Sequence, residues 1–267
     1  MRKAVAFLIV LASLLFFTPV FAEETVTWYC PVCGTSGNTQ NYCPECGAAR
    51  PRSTDPEPAK PLQAGDIITF GKWEQDDSEH NGTEPIEWII LEVQGSQALV
   101  MSRYGLVQCR YAYHSNGQTW ADSSIRDTLN HEFYDLAFTD DEKKAILITH
   151  VKEGADQQDP DRPAAAGRVG ADTDDYIFIL SYAEIIRYMP TPEERMCYTT
   201  QYIRIHANYS GTRSPGGYTC WYWLRSPAYK NNAGAVDWDG EIDACYMNHV
   251  YGVARPCCWV DLTLLMQ

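Results

Sequence analysis

Short, mostly apolar runs at Asp66–Phe70 (DIITF), Ile86–Val93 and Gln97–Ser102 are bounded by polar and turn residues. That pattern predicts three strands, the last two forming a hairpin around Gln94-Gly95-Ser96. A helical period follows. Ile125, Leu129, Phe133 and Leu136 recur on one helical face behind the capping candidates Ser123 and Ser124, so a helix is expected over about 125–137. Thr139-Asp140-Asp141-Glu142 is a capping box opening a short helix, Asp141–Ile148. Tyr176–Leu180 (YIFIL) reads as a strand, and Ser181-Tyr182-Ala183-Glu184 as a further capping box whose helix Pro190 ends. Near the C-terminus, Ala235–Trp238 and Glu241–Ala244 flank Asp239-Gly240, a type I′ hairpin signal. With helices grouped in the middle and strands at both ends, the expected class is α+β.

Ahead of this block the pattern is different. Met1-Arg2-Lys3, the apolar run Ala4–Phe17, and Val20 and Ala22 at positions −3 and −1 describe a secretory signal over 1–22. The rival is an uncleaved anchor, since Ala4–Phe21 is about long enough to span a bilayer. In either case the basic flank before it and Glu23-Glu24 after it put the rest outside the membrane. The expected location is therefore secreted or extracytoplasmic, in the cell envelope, with membrane contact only through a retained anchor. Residues 28–48 form a cysteine-rich unit, and 49–61 (ARPRSTDPEPAKP) form a stiff Pro-rich linker. From Leu62 to the end runs one 206-residue block, long enough to bury a real core.

Charge narrows the function classes. The 267 residues carry 35 acidic and 21 basic side chains, a formal charge of −14, and removing 1–22 leaves −16. Such a chain cannot replace the counterions around phosphates, which excludes an electrostatically driven nucleic-acid binder. Docking on an anionic lipid surface is disfavoured for the same reason. Four of the eight Phe lie within 1–22, so the remainder has four Phe beside 8 Trp and 17 Tyr. These amphipathic rings suit half-wet surfaces and sugar faces, and serve shallow cores equally well.

Cys30-x-x-Cys33 and Cys43-x-x-Cys46 lie nine residues apart, each ending in Gly (Gly34, Gly47) and each with Pro after its first Cys (Pro31, Pro44). Two such knuckles place four thiolates around a tetrahedral Zn2+ at about 2.3 Å. Four Cys ligands leave no open position, so the zinc would be structural. The rival is two disulfides, which an exported location favours. The doubled CPxCG pattern is specific and favours zinc. Cys109, Cys197, Cys220, Cys245, Cys257 and Cys258 remain, and their pairing is open; one option is that Cys220 and Cys245 face each other across late strands.

Catalytic signatures are mostly missing. His131-Glu132 opens like a zincin helix, but Asp135 stands where the second His belongs. No Ser lies in a G-x-S-x-G elbow. His80, His114, His131, His150, His206 and His249 are scattered. The alternating Asp237, Asp239, Glu241 and Asp243 could bind Ca2+. The solvent face of a hairpin explains them better.

Four ordered stretches carry a family resemblance: Gly65–Gly71 (GDIITFG), Ile86–Leu91 (IEWIIL), Trp120–Arg126 (WADSSIR) with Leu129-Asn130, and Trp223–Pro227 (WLRSP) ending at Tyr251–Pro256 (YGVARP). Together they resemble a bacterial domain of unknown function found in exported or surface proteins, often behind a zinc ribbon. That domain is distantly similar to the C-type-lectin-like fold of formylglycine-generating enzymes (sulfatase-modifying factors). The resemblance implies an irregular antiparallel sheet, two or three helices and long loops that present a ligand surface over 62–267. This chain departs by an extra Ala254 before Arg255 and by Cys257-Cys258 at the usual apolar pair. The enzymes' two copper-holding cysteines do not map onto it position by position, and the lectins' calcium triplets are absent.

Within the motif, Arg225 and Arg255 beside Trp223 are expected to pin loops through carbonyls, carboxylates and stacking. A ligand surface would draw on Tyr218, Trp221, Tyr222, Tyr229, Asn231, Asn232 and Asn248, because aromatic faces with planar amides suit glycan or peptide recognition. The leading expectation is a non-catalytic recognition module for a glycan or protein ligand. The alternatives are a copper-dependent cysteine oxidase, which needs two neighbouring thiols among Cys220, Cys245, Cys257 and Cys258, and a structural envelope-assembly protein.

Overall fold

The computed structural model describes residues 30, 32–49, 61–78, 80–114, 117–162, 169–206, 213–214 and 217–266. The expected signal, 1–22, and most of the linker lie outside them. The chain divides into two compact units, 1–60 and 61–267. Among the described residues no helix is long and apolar enough to cross a membrane.

The larger unit is mixed α+β, with several antiparallel sheets and few helices. In chain order its first strands are β1 (Ile67–Trp73), β2 (Glu84–Gln94), β3 (Gln97–Ser102), β4 (Tyr104–Gly105) and β5 (Val107–Gln108). Helical turns α1 (Ser124–Thr128), α2 (Tyr134–Ala137) and α3 (Asp140–Ala145) follow, then β6 (Ile146–Leu147), β7 (Thr149–Val151) and β8 (Thr173–Asp175). Next come α4 (Tyr182–Tyr188), α5 (Pro192–Arg195), β9 (Cys197–Thr199) and α6 (Gln201–His206). The late strands are β10 (Arg213–Ser214), β11 (Gly217–Cys220), β12 (Tyr222–Pro227), β13 (Asn232–Val236), β14 (Ile242–Tyr246), β15 (Val253–Ala254) and β16 (Cys257–Asp261), closed by α7 (Leu262–Leu265).

Five strands form the main sheet in the order β1-β2-β3-β16-β6. The C-terminal β16 therefore sits inside it, with Cys258 opposite Val100 and Trp259 opposite both Leu99 and Leu147. Smaller sheets run β10-β11-β9-β4 and β12-β13-β14, and β15 pairs with β5 and β7 with β8. Only the β4–β9 contact is parallel among the described strands. The extra Ala254 is taken up in β15, opposite Val107.

Trp88, Trp120, Trp223, Tyr111 and Tyr222 are fully buried, so the aromatic-rich, Phe-poor composition builds a core as well as a surface. Each indole N–H has an acceptor: Trp88 donates to the Phe70 carbonyl (2.9 Å), Trp120 to Asp175 Oδ2 (2.8 Å) and Trp223 to the Cys109 carbonyl (3.0 Å). Burial without such partners would be costly.

Local signals placed most elements well, and four differ. The helix expected over 125–137 runs from Ser124 to Ala137, but Leu129–Phe133 is a π turn between α1 and α2. One extra residue in that turn rotates the following stripe, so Ala137 is buried and Leu136 is 70% exposed. The Thr139 capping box forms, yet α3 stops at Ala145 because Ile146-Leu147 pair with Val260-Trp259 at the sheet edge. Ile177–Leu180 are buried and Tyr176 half-buried, but the segment joins no sheet beyond a bridge between Phe178 and Cys257. There the Asn130 amide stands in for a strand, accepting from Tyr176 N (2.9 Å) and Ile177 N (3.1 Å) and donating to the Ile177 carbonyl (2.8 Å). Lastly, the Asp239-Gly240 hairpin is not type I′. Asp237 N donates to the Glu241 carbonyl (2.7 Å), Gly240 N to the Asp237 carbonyl (3.0 Å), and only Gly240 takes positive φ, at 85°. This is the three-residue loop with a left-handed closing glycine.

Candidate functional site

In the smaller unit the two cysteine knuckles repeat one backbone design. Cys30 N donates to the Thr35 carbonyl (2.9 Å) and Gly34 N to the Cys30 carbonyl (3.0 Å). Likewise Cys43 N donates to the Ala48 carbonyl (2.8 Å) and Gly47 N to the Cys43 carbonyl (2.9 Å). Gly34 and Gly47 take φ of 79° and 71°, a region that side chains avoid, which is why each knuckle ends in glycine. The result brings four sulfurs together. Cys30 and Cys46 Sγ are 3.6 Å apart, Cys33 and Cys43 Sγ 3.5 Å, and all four lie within 4.8 Å of one another. A tetrahedral ion with bonds of about 2.3 Å requires sulfur–sulfur edges of roughly 3.8 Å, so this donor set fits a metal ion such as zinc. Side-chain and backbone hydrogen bonds from Thr35 lower the Cys33 thiol to about 6, whereas Cys46, against the Ala48 backbone hydrogen bond, is pushed up to about 12 by the neighbouring thiols and burial, as expected of crowded sulfurs that share protons.

The larger unit is organised around Arg225, which is fully buried on β12. Its Nε donates to Glu153 Oε1 (2.7 Å) and its Nη2 to Glu184 Oε1 (2.8 Å). Nη1 bonds Glu184 Oε2 and the Ile179 carbonyl (2.9 Å), and Nη2 also reaches the Lys152 carbonyl (3.2 Å). Glu184 is at the same time the capping-box residue of α4, accepting from Ser181 N (2.9 Å). One guanidinium thus serves two carboxylates, and the deeper one yields its charge. Burial, opposed by Arg225, raises the Glu153 carboxyl to about 7, while its side chain is 1% exposed against 30% for Glu184.

The sign of the pH effect follows. Above the usual carboxyl value of about 4.3 an unfolded Glu153 has lost its proton, whereas the folded one keeps it until about 7. The fold therefore binds more protons in that window, and stability falls as pH rises from about 4.5 to 7. Urea midpoints measured from pH 5 to 8 should show this decline, and Glu153→Gln should flatten it. An unchanged slope in the variant would refute the assignment.

Arg255 is also buried, donating from Nε to the Ser102 carbonyl (3.1 Å) and lying 5.0 Å from the Tyr222 ring centre. Trp223 packs edge-on against Tyr111 and Trp221. Of the residues considered for ligand contact, Tyr222 and Asn232 lie inside the fold: Tyr222 is 1% exposed with its hydroxyl bonded to the Arg195 carbonyl (2.8 Å), and Asn232 is 6% exposed in β13. A core strand, with every residue of β12 and β13 buried, takes both away from solvent. Tyr218, Tyr229, Asn231 and Asn248 are exposed and Trp221 half-buried. Met247 N bonds the Asn231 carbonyl (3.2 Å), which brings Asn231 beside Asn248. Tyr218 stands apart on β11, with the Arg204 guanidinium over its ring. Cys220 does not meet Cys245: its register partner is Cys197, and that of Cys245 is Ala233.

A cleft of about 190 Å³ opens beside Trp221, lined by Asp237, Asp243, Cys245 and His249. Sequence reasoning singled out only Trp221 in it for ligand contact. The signal for the rest was the acidic alternation, because residues i and i+2 of a strand and their register partners share a face. Asp243 lies opposite Ala235, which puts Asp237 and Asp243 on one side of the β13–β14 hairpin with Cys245. Asp237 Oδ1 accepts from Trp238 N (2.8 Å) and Asp243 meets Arg162 Nε at 3.4 Å. Burial, with the charges of Asp243 and Asp237, pushes the Cys245 thiol above its ordinary range. A larger cleft of about 440 Å³ lies near Ser123, Arg126 and Asn130, but those groups are committed to Arg126 N, Asp175 and the backbone of Tyr176–Ile177.

Comparison with known proteins adds one finding. No curated protein and no solved structure matches the chain. Residues 95–262, more than half of its length, match the family described as Domain of unknown function (DUF6273), and the chain belongs to that family.

Proposed function

We propose that the protein is an exported, non-catalytic recognition module of the bacterial envelope. In this reading a structural zinc ribbon on a Pro-rich linker precedes a lectin-like domain that binds a glycan or protein ligand. The observation that carries it is the Trp221 cleft, where an aromatic ring is flanked by Asp237 and Asp243. An indole beside carboxylates in a chain of charge −14 favours neutral or cationic ligands, such as amine-bearing sugars or lysine side chains. Cys245 and His249 share the cleft but make a poor nucleophile and base. The thiol is held protonated by burial and the two Asp, and His249 Nδ1 accepts from Tyr251 N (3.3 Å). The copper-oxidase alternative needs a reachable thiol pair, and the pair that the fold brings together, Cys197 and Cys220, is fully buried.

The test is binding of the full chain to arrayed cell-wall polysaccharides, glycans and proteins, including glucosamine oligosaccharides and lysine-rich peptides. Trp221→Ala should weaken any binding by about five- to thirtyfold, the loss of one stacked ring being of order 1–2 kcal/mol. Asp237→Asn should weaken only cationic ligands. No binding across the arrays, or binding indifferent to Trp221, would overturn the proposal.

A further inference from the structure

β9 and β11 run antiparallel, with Cys197 directly opposite Cys220 and Tyr198 opposite Thr219. Both cysteines are fully buried, and the Cys197 thiol donates to the Tyr198 carbonyl (3.5 Å). Directly opposed residues on antiparallel strands have Cα atoms about 4.5–5.5 Å apart. That separation lies inside the roughly 4.4–6.8 Å that a disulfide spans. Among the described strands of the 61–267 unit no other two cysteines are register partners: Cys245 lies opposite Ala233, Cys257 opposite Met101 and Cys258 opposite Val100.

We propose that Cys197 and Cys220 close a disulfide that staples β9 to β11 and fixes the excursion between them, which contains α6 and β10. This goes beyond the recognition reading and does not depend on it. The oxidant is a small-molecule disulfide of the glutathione class. Cys197 releases a proton, its thiolate attacks one sulfur of the oxidant, and the other half leaves as a thiolate. The Cys220 thiol then releases its proton, attacks the Cys197 sulfur of the mixed disulfide and expels the second half. Two cysteines are oxidised by two electrons, and one oxidant is reduced to two thiols that take up the two protons. Since both sulfurs are buried once β9 and β11 have paired, the exchange belongs to the folding chain.

In the reduced fold Cys197 is the more acidic of the two. Burial disfavours its thiolate, but the hydrogen bond from Cys220 and the charge of Arg255 outweigh that and hold it below the ordinary thiol range. Arg255 Nη1 has no hydrogen-bond partner among the described residues.

The experiment uses the full chain, unfolded and refolded in a buffer of oxidised and reduced glutathione, then denatured in iodoacetamide, digested and mapped by mass spectrometry. Cys197 and Cys220 should escape alkylation and emerge as one cross-linked peptide pair that separates on reduction with a gain of two hydrogens. Reduction should also lower the melting temperature of the oxidised protein by about 5–10 °C, a shift lost in Cys197→Ser. Alkylation of both residues, or a bridge from either to a different cysteine, would overturn the proposal. The mapping needs no variant, so it decides the matter even if Cys197→Ser fails to fold.

Discussion

Replacing Cys43 with serine is expected to release the metal ion from the four-cysteine unit and to unfold that unit, while the 61–267 unit stays folded. Residues 30–49 contain few buried apolar groups, Cys30 and Cys43 being the hydrophobic ones among those described, so almost nothing but the metal can stabilise them. Binding of structural zinc to four thiolates supplies on the order of 10–16 kcal/mol, and that is the folding free energy of so small a unit. Serine cannot replace a buried thiolate donor of this kind. Native mass spectrometry should find one zinc per wild-type chain and none in the variant. Amide resonances of the knuckles should collapse toward random-coil positions, and a strong chelator should reproduce both effects. A variant that retained stoichiometric zinc would refute the four-cysteine site. Wild-type protein isolated metal-free, with these cysteines joined in disulfides, would do so equally.

Arg225→Met should be the most damaging single change in the larger unit. It removes the guanidinium donors to Glu153 and Glu184 and leaves the Ile179 and Lys152 carbonyls without their guanidinium partner. Truncating one side of a buried ion pair costs about 3–5 kcal/mol, mainly because the opposite charge stays buried and unpaired. For a domain of this size that corresponds to a fall of roughly 6–20 °C in melting temperature. The damage should spread, because Glu184 also caps α4 and the Ile179 contact anchors the buried segment behind it. Adding Glu153→Gln should restore part of the loss by removing a buried carboxyl that the first change leaves without its guanidinium partner. A melting temperature within about 2 °C of wild type for Arg225→Met would show that the node carries no such load.

The Arg225 node also illustrates which features were legible in advance. The WLRSP stretch marked Arg225 as a pinning residue, yet its partners Lys152, Glu153, Ile179 and Glu184 lie 41 to 73 positions away in sequence. Glu184 was recognised only as a helix cap. Nothing local indicates that one carboxylate serves both duties, because the second depends on where β12 runs. Likewise Asn130 was noted beside Leu129, while its role as a surrogate strand partner for Tyr176 and Ile177 exists only once α1 packs near that segment.

What the sequence determined by itself was local chemistry. The two cysteine knuckles, the capping boxes at Thr139 and Ser181, the helix stop at Pro190 and the β2–β3 hairpin each depend on residues within a few positions of one another. Their geometry is set by nearby backbone sterics and hydrogen bonds, so spacing alone reveals them. Tertiary structure decided the rest: the π turn that exchanged Leu136 for Ala137, the burial of Tyr222 and Asn232, the pairing of Cys197 with Cys220, and the gathering of Asp237 and Asp243 beside Trp221. Each of these is settled by packing between distant segments, where the free energy of burial outweighs local preference and leaves no short-range mark in the chain.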